Sequence, residues 1–251
     1  MPAFAVLGQG CLQRGGVYDH PGVDLPVYED AAPEAVLAAM QERDAGLTSW
    51  RAVGTVLLSR EGRTTRLDGI MLIDALETES PRLRLRASKL GRNAIDLVYA
   101  DGEAWVWTRS RADDAGGDAT DAAPIELPLA LIRSESLVFD RSADDHLVFN
   151  TTDLIGEHPA EVWVHRSTRT THRVLVQSPD GPVTTELRYR SGEPAPHVDA
   201  LRLSLGGEPV VEFLVDAFQP NPSLTPAHFK PVPGSRRLGL ATRLSLAFGP
   251  D

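Results

Sequence analysis

The sequence predicts a mainly β protein in which about eleven strands follow one another as an antiparallel meander. Three observations support this prediction. Apolar and polar residues alternate with a period of two from Ser49 onward, short turns that contain glycine separate the alternating runs, and helical patterns occupy only two short segments. About eleven strands are too many for a flat sheet, so we expect the sheet to twist strongly or to curl into a barrel.

The first predicted element is a helix that opens at Pro33 and ends near Ala45, ahead of the strands. Proline needs no amide partner in the first turn of a helix, and Glu34 is favourable beside the positive end of the helix dipole. Gly46 can cap the other end. Residues 1–30 are rich in Gly, Pro and Asp and lack a sustained period, so they are predicted to be a leader or tether. Residues 31–251 then form a single domain.

The strands are predicted from alternation, which is clearest where apolar Leu83, Leu85 and Ala87 are interleaved with polar Arg84, Arg86 and Ser88. Two strands are predicted ahead of this one, joined at Glu61–Gly62. The later predicted strands are 94–100, 103–108, 146–152, 161–166, 171–178, 183–190, 198–205 and 210–217, with a last one at 237–248. A short helix is predicted at 124–136, in mid-sheet. The proline-rich segment 219–233 is predicted to be extended, irregular backbone.

Alternation also predicts which side chains point to the concave side of the sheet. A register shift of one residue would move every side chain of a strand to the opposite face, so each strand can be assigned from its apolar residues. In the early strands these residues are Leu67, Met71, Ile73, Leu83, Leu85, Ile95 and Leu97. In the late strands they are Leu203, Val211, Phe213 and Val215. Trp105 and Trp107 share one face of their strand, where they either pack in the ordinary way or line a ligand cavity. Two short helices are too little to fill the space, so we expect an apolar pocket of at least a few hundred Å³.

Composition and motifs exclude several classes of protein. The net charge of −10 argues against a nucleic-acid surface, and no stretch approaches the roughly 20 apolar residues that span a bilayer. No nucleophile elbow, P-loop, dinucleotide fingerprint or zinc-protease motif is present, so we expect neither an enzyme nor a cofactor. The group Asp144, Asp145 and His146 is interpreted as a solvated turn, with a metal site as the alternative. Arg84, Arg86 and Asp96 are interpreted as outward-facing charges.

Two features keep alternatives open. His165 and His172 flank a predicted hairpin turn, where they either pair across the strands or serve a metal or proton role. Cys11 is the single cysteine and follows an apolar stretch. It is either an incidental thiol in a frayed N-terminus or, if the natural product starts upstream, the lipidated cysteine of a lipoprotein signal.

The segment from Leu47 to Trp107 resembles the LolA/LolB-like superfamily of bacterial outer-membrane lipoprotein carriers and acceptors. In that group a helix precedes a W-x-x-x-G motif on the first strand, here Trp50 to Gly54. The R-L-x-L motif of the middle strands is matched by Arg82 to Leu85, and the L-G motif by Leu90–Gly91. The resemblance covers about 60 residues in detail and, through the strand count, extends loosely to about Pro233.

The resemblance implies an unclosed antiparallel barrel of about eleven strands, whose concave face is covered by the N-terminal helix and the mid-chain helix. It also implies a function: binding acyl chains of a lipid or lipoprotein as a monomeric carrier or acceptor, periplasmic or anchored to the outer membrane of a Gram-negative-type envelope. An alternative is an envelope sensor or scaffold module that uses the same fold to bind a partner protein. A third hypothesis is an enzyme whose site is dispersed along the chain.

Overall fold

The structure is a computed structural model of the chain. It describes residue 18 and residues 21–29, 32–60, 62–74, 82–101, 103–109, 137–151, 160–178, 181–193 and 195–238. Four predictions lie outside the described residues: the leader or tether at 1–17, the modification of Cys11, the short helix at 124–136 and the part of the last strand beyond Leu238.

Strands dominate the described part of the chain. They are β1 (Gly22–Val23), β2 (Ser49–Arg60), β3 (Arg63–Asp74), β4 (Arg82–Lys89), β5 (Arg92–Ala100), β6 (Glu103–Thr108), β7 (Val138–Ala143), β8 (His146–Thr151), β9 (Ala160–His165), β10 (Thr170–Ser178), β11 (Gly181–Arg190), β12 (His197–Leu205), β13 (Glu208–Pro220) and β14 (Arg236–Leu238). The helices are α1 (Pro33–Ala45) and a 3-10 turn at Pro226–Phe229. No helix in these ranges is long and apolar enough to cross a bilayer.

All of these strands belong to one sheet, in the order β14-β6-β5-β4-β3-β2-β13-β12-β11-β10-β9-β8-β7. Neighbours in this order pair antiparallel, and β1 adds to β11 in parallel. Within the described ranges β14 and β7 do not pair with each other, so the sheet is not closed. The prediction of a mainly β, unclosed antiparallel sheet is therefore confirmed, with β1 and β7 as strands that the sequence did not predict.

One face of the sheet carries the main core, and we call it the core face. Its buried apolar side chains form one cluster that runs from β2 through β6 and from β9 through β13. Ala52 in β2 and Val174 in β10 both have no exposed surface, although they lie on strands far apart in the sheet. Burial on both halves of so wide a sheet requires the sheet to curl over its own core face.

The helix α1 matches the predicted helix at both ends, and its N-terminal Pro33 and Glu34 are placed as expected. Val36 and Met40 pack against β8 and β9, where they meet Phe149 and Val162 in a second buried cluster. Val162 is paired across the sheet with Val174 of the main cluster, and paired residues point to the same face. The helix therefore covers the core face, at its β8–β9 end.

The proline-rich segment crosses the opposite face, which we call the outer face. Residues 221–235, named the strap here, carry the chain from β13 at the centre of the sheet to β14 beside β6 at its edge. The Asn221 side chain fixes the start: its Oδ1 accepts from the amide of Thr48 at 3.0 Å, and its Nδ2 donates to the carbonyl of Gly46 at 3.0 Å. Phe229 is buried, which fixes the middle. The strap is thus attached at several points along its length.

The described part of the N-terminal segment lies against the sheet. Gly22 and Val23 pair with Tyr189 and Arg190 of β11, and the amide of Tyr189 donates to the carbonyl of Pro21 at 2.9 Å. Leu25 then packs on the core-face cluster. Residues 21–25 are therefore part of the folded domain, which differs from the predicted leader or tether up to residue 30. For residues 1–17 that interpretation remains a prediction.

Candidate ligand-binding site

The core face brings together most of the predicted cavity residues. Eleven of the thirteen belong to its cluster: Leu67, Met71, Ile73, Leu83, Leu85, Ile95, Leu97, Leu203, Val211, Phe213 and Val215. The register of the strands explains this: Leu85 is paired with Met71 of β3 and with Leu97 of β5. The apolar residues of neighbouring strands therefore point to the same face. Early and late strands meet through β2, where Val56 is paired with both Leu67 and Phe213.

The two tryptophans do not join this cluster, which corrects the expectation of a shared wall. Val106, between Trp105 and Trp107, is the core-face residue of β6 and is paired with Leu97. The tryptophans are paired with Val98 and Asp96, which lie on the outer face. Gly234 of the strap comes close enough that a Cβ there would be 3.9 Å from the ring of Trp107. Both rings are therefore placed on the outer face of the sheet edge, on the same side as the strap.

Phe213 occupies the centre of the core face and is 1% exposed. Its ring lies over Gly69 of β3, where an added Cβ would be 2.9 Å from Phe213 Cε2 and 2.5 Å from Val56 Cγ2. A side chain at position 69 would therefore displace its neighbours. The missing side chain of Gly69 makes room for the aromatic ring in the wall of the barrel.

Half-buried aromatic side chains lie at one end of the core face. Trp50 and Phe218 have ring centroids 5.8 Å apart, and His197 stacks on Phe218 at 4.4 Å. Burial lowers the pKa of His197 and raises the pKa of Tyr99, which packs on the same cluster. Both shifts favour the neutral forms of these groups, as suits an apolar lining.

Thr185 places a hydroxyl inside the apolar cluster. It is paired with Val174 and Leu203, it has no exposed surface, and its Oγ1 has no hydrogen-bond partner in the described part of the chain. A buried hydroxyl without a partner costs about 1–3 kcal/mol.

A second concave feature lies on the outer face, between the strap and strands β2 to β4. This cleft has a volume of about 470 Å³ and is lined by Arg51, Ile70, Leu72, Arg84, Arg86, Pro222, Ser223, Leu224, Ala227 and His228. Asp96, below it, is 1% exposed and accepts from Arg84 Nε at 2.8 Å, Arg84 Nη2 at 2.6 Å and Arg86 Nε at 3.0 Å. These charges face outward as predicted, but Arg84 and Asp96 are buried, which the sequence did not predict.

Three histidines are in contact on the outer face of β8 to β10. His146 stacks on His172 with ring centroids 5.0 Å apart, and His165 meets His146 edge-on at 5.3 Å. His172 Nε2 donates to the carbonyl of Tyr18 at 2.8 Å, and a carbonyl only accepts. With its Nε2 donating in this way, His172 accepts at its Nδ1 the Nε2–H of His146, 2.8 Å away.

This arrangement is cross-strand packing with a third histidine between the predicted two. Within the described ranges, no group of three or more His, Cys, Asp or Glu side chains is arranged as a metal site. Burial lowers the pKa of His146 to about 4, and its electrostatic interactions with His172, His165 and Arg173 act in the same direction, against the opposing effect of Asp145. His146 is therefore neutral in the folded protein at neutral pH.

We expect the free energy of unfolding to fall as the pH is lowered from 6.5 towards 4. In this window an unfolded His146, with an ordinary pKa of 6.5, binds a proton that the folded form does not bind, so stability rises with pH. Urea unfolding across the window measures the slope. His146→Gln keeps an N–H donor for His172 but does not titrate, so it is expected to flatten the slope. An equal slope in that variant would contradict the assignment.

Comparison with known proteins finds similarity at the level of the fold. No protein-family model matches the sequence, and no curated protein sequence matches it significantly. A domain from Vibrio parahaemolyticus assigned to outer membrane lipoprotein sorting is similar with a TM-score of 0.54 at 11% identity, over 78% of this chain and 96% of that one. A DUF1329 family protein from Desulfovibrio piger has a TM-score of 0.55 at 12% identity, over 78% and 96%.

A LolA superfamily protein from Nitrosomonas europaea is similar with a TM-score of 0.51 at 12% identity, over 80% of this chain and 98% of that one. Each of these three similarities spans nearly the whole length of the other protein, so the shared unit is the complete domain. At such low identity the likeness concerns the fold. The chain therefore has a LolA-like fold, in agreement with the sequence resemblance.

Proposed function

We propose that the protein binds acyl chains of a lipid or lipoprotein on its core face, without catalysis, and acts as a carrier or acceptor in a Gram-negative-type envelope. The observation that carries the proposal is the continuous apolar cluster on one face of an unclosed sheet, on which α1, the single α-helix of the described ranges, covers the β8–β9 end. The LolA-like fold supports it, because one of the similar structures is assigned to lipoprotein sorting.

The physical basis of this binding is the transfer of methylene groups out of water. Each buried CH₂ contributes about 0.8 kcal/mol, so a chain with ten buried methylenes gains about 8 kcal/mol before the costs of association. Half-buried side chains such as Leu85, Val215 and Phe218 leave apolar surface on the core face to cover.

Filling the core face is expected to weaken lipid uptake. Leu85→Trp and Leu203→Trp each add an aromatic ring where the acyl chain is proposed to lie, and Leu85, being half-buried, has more room for it. Titration with a fluorescent fatty acid should show at least tenfold weaker binding in both variants, with unchanged circular dichroism. Val138→Trp is the matched control, because Val138 is 69% exposed on the edge strand β7.

The outcomes separate the functional hypotheses. Lipid that copurifies with the protein, detected by native mass spectrometry and organic extraction, supports the carrier function. A wild-type protein that takes up no lipid probe contradicts it, and a stable protein partner would then favour the sensor or scaffold alternative.

We further propose that Cys11 carries diacylglycerol in the natural product. The mass of protein extracted from membranes tests this, and a free thiol at Cys11 would contradict it.

A further inference from the structure

The cleft on the outer face has the features of a second binding site. The strap forms one wall through Pro222, Leu224 and Ala227, and the strands β2, β3 and β4 form the other. Because core-face and outer-face residues alternate, Leu72 lines this cleft while its neighbour Met71 lies in the core-face cluster. The two sites are therefore on opposite faces of the same strands.

The cleft holds more positive than negative charge. Arg84 and Arg86 share the single carboxylate of Asp96, and Arg86 uses only its Nε for this contact. Arg51 is exposed at the cleft and, among the residues that the structure describes, forms no ion pair. Asp74, on the same face of β3, is bound to Arg82 at 2.5 Å. Two guanidinium groups thus remain available to an anion, in a protein whose net charge is −10.

Between the arginines the cleft is apolar. Register places Leu72 between Arg51 and Arg84, and Ile70 beside Arg86. Leu224 faces them from the strap. A volume of about 470 Å³ lies within the usual range of small-ligand sites, roughly 300–1,000 Å³. This combination suits an anionic group that is attached to an apolar chain.

The strap holds the cleft in a preformed shape. Arg84 Nη1 donates to the carbonyl of His228 at 2.8 Å, and this hydrogen bond links the strap to β4. Phe229 is 2% exposed and lies under the guanidinium of Arg82, 5.3 Å from its ring centre. The hydroxyl of Ser49 donates to the carbonyl of Pro222 at 3.1 Å. A wall that is already fixed loses little entropy when a ligand binds.

We propose that this cleft binds an anionic amphiphile, a phosphate or carboxylate on a single alkyl chain, with Arg51 and Arg86 as the anion-binding residues. The alkyl chain lies against Ile70, Leu72 and Leu224. Arg84 is a positioning residue, because Asp96 and the carbonyl of His228 occupy its donors. The site operates independently of the core face.

The test follows dodecyl phosphate, below the concentration at which it forms micelles, by methyl NMR of the full-length protein. The methyl signals of Leu72 and Leu224 report the outer cleft, and the methyl signal of Met71 reports the core face. We expect the Leu72 and Leu224 signals to shift on titration. Arg51→Gln combined with Arg86→Gln should weaken this binding at least tenfold, while Arg63→Gln, at the exposed start of β3, should leave it unchanged.

The controls decide between ligand classes. Inorganic phosphate and the uncharged dodecyl maltoside should each bind at least tenfold more weakly at Leu72 and Leu224 than dodecyl phosphate does. The proposal is overturned if the Leu72 and Leu224 signals do not shift with dodecyl phosphate, or if the double variant binds it as well as the wild type. It is also overturned if inorganic phosphate or dodecyl maltoside binds there as tightly as dodecyl phosphate. A shift at Met71 alone means that only the core face binds lipid.

Discussion

Replacing Asp96 with alanine is expected to lower the free energy of unfolding by about 3–5 kcal/mol. Asp96 is 1% exposed and is the carboxylate partner of Arg84, whose side chain is itself only 10% exposed. Its removal leaves two guanidinium groups at the floor of the outer cleft without their counter-charge, and an unpaired buried charge costs this much. Urea or guanidinium unfolding of the purified variant, fitted to a two-state transition, measures the loss.

Asp68→Ala is the matched control for this prediction. Asp68 is an exposed residue of β3 on the same outer face, where it is paired with Ser88 of β4. Among the described residues it forms no ion pair with a buried arginine. It is expected to change stability by no more than about 0.5 kcal/mol. Equal losses in Asp96→Ala and Asp68→Ala would show that the Asp96 carboxylate is solvated and that its burial has no energetic role.

The alternation of apolar residues predicted the strands and the core face well. The predicted strand at 103–108 coincides with β6, and α1 begins and ends where its proline and glycine predict. Eleven predicted cavity residues lie together because each strand carries its apolar side chains on one parity only. A strand with one apolar face has one stable orientation, so its register and face can be read from its own residues.

Where both parities are apolar, the sequence of one strand does not determine its face. In β6 the small Ala104 and Val106 alternate with the large Trp105 and Trp107, and the larger pair suggested the interior. The structure places the smaller pair on the core face instead. On the outer face the strap lies near Trp107, and within the sheet β14 pairs with β6. The positions of both depend on residues more than 120 positions later in the chain.

The buried charges were missed for a related reason. Arg84, Arg86 and Asp96 alternate with apolar residues, which is typical of a strand with one solvated face. Burial of Arg84 and Asp96 results from the strap that crosses them, and the strap carries little periodic signal because prolines interrupt it. β1 was missed because its contacts with β11 are made by the backbone, which leaves no pattern in the side chains.

Truncating Phe213 to alanine is expected to cost about 3–5 kcal/mol of stability, the usual range for a buried phenylalanine. Phe213 is 1% exposed and links the two halves of the core face, because its strand pairs with β12 on one side and with β2 on the other. Phe139→Ala, at a phenylalanine that is 40% exposed on β7, should cost much less. Similar losses in both variants would contradict the central position of Phe213.

A double-mutant cycle tests whether position 69 requires glycine because the Phe213 ring occupies the space of a side chain there. Gly69→Ala alone is expected to cost about 1–3 kcal/mol, because its Cβ would be 2.9 Å from the Phe213 ring and 2.5 Å from a methyl group of Val56. In the Phe213→Ala background the ring is gone, so the same methyl group should cost less and partly fill the cavity. The expected coupling is at least about 1 kcal/mol, within the range for residues in contact. Additive effects would mean that Gly69 is constrained by Val56 or by the backbone, and that the core face does not depend on a ring seated at this point of the barrel.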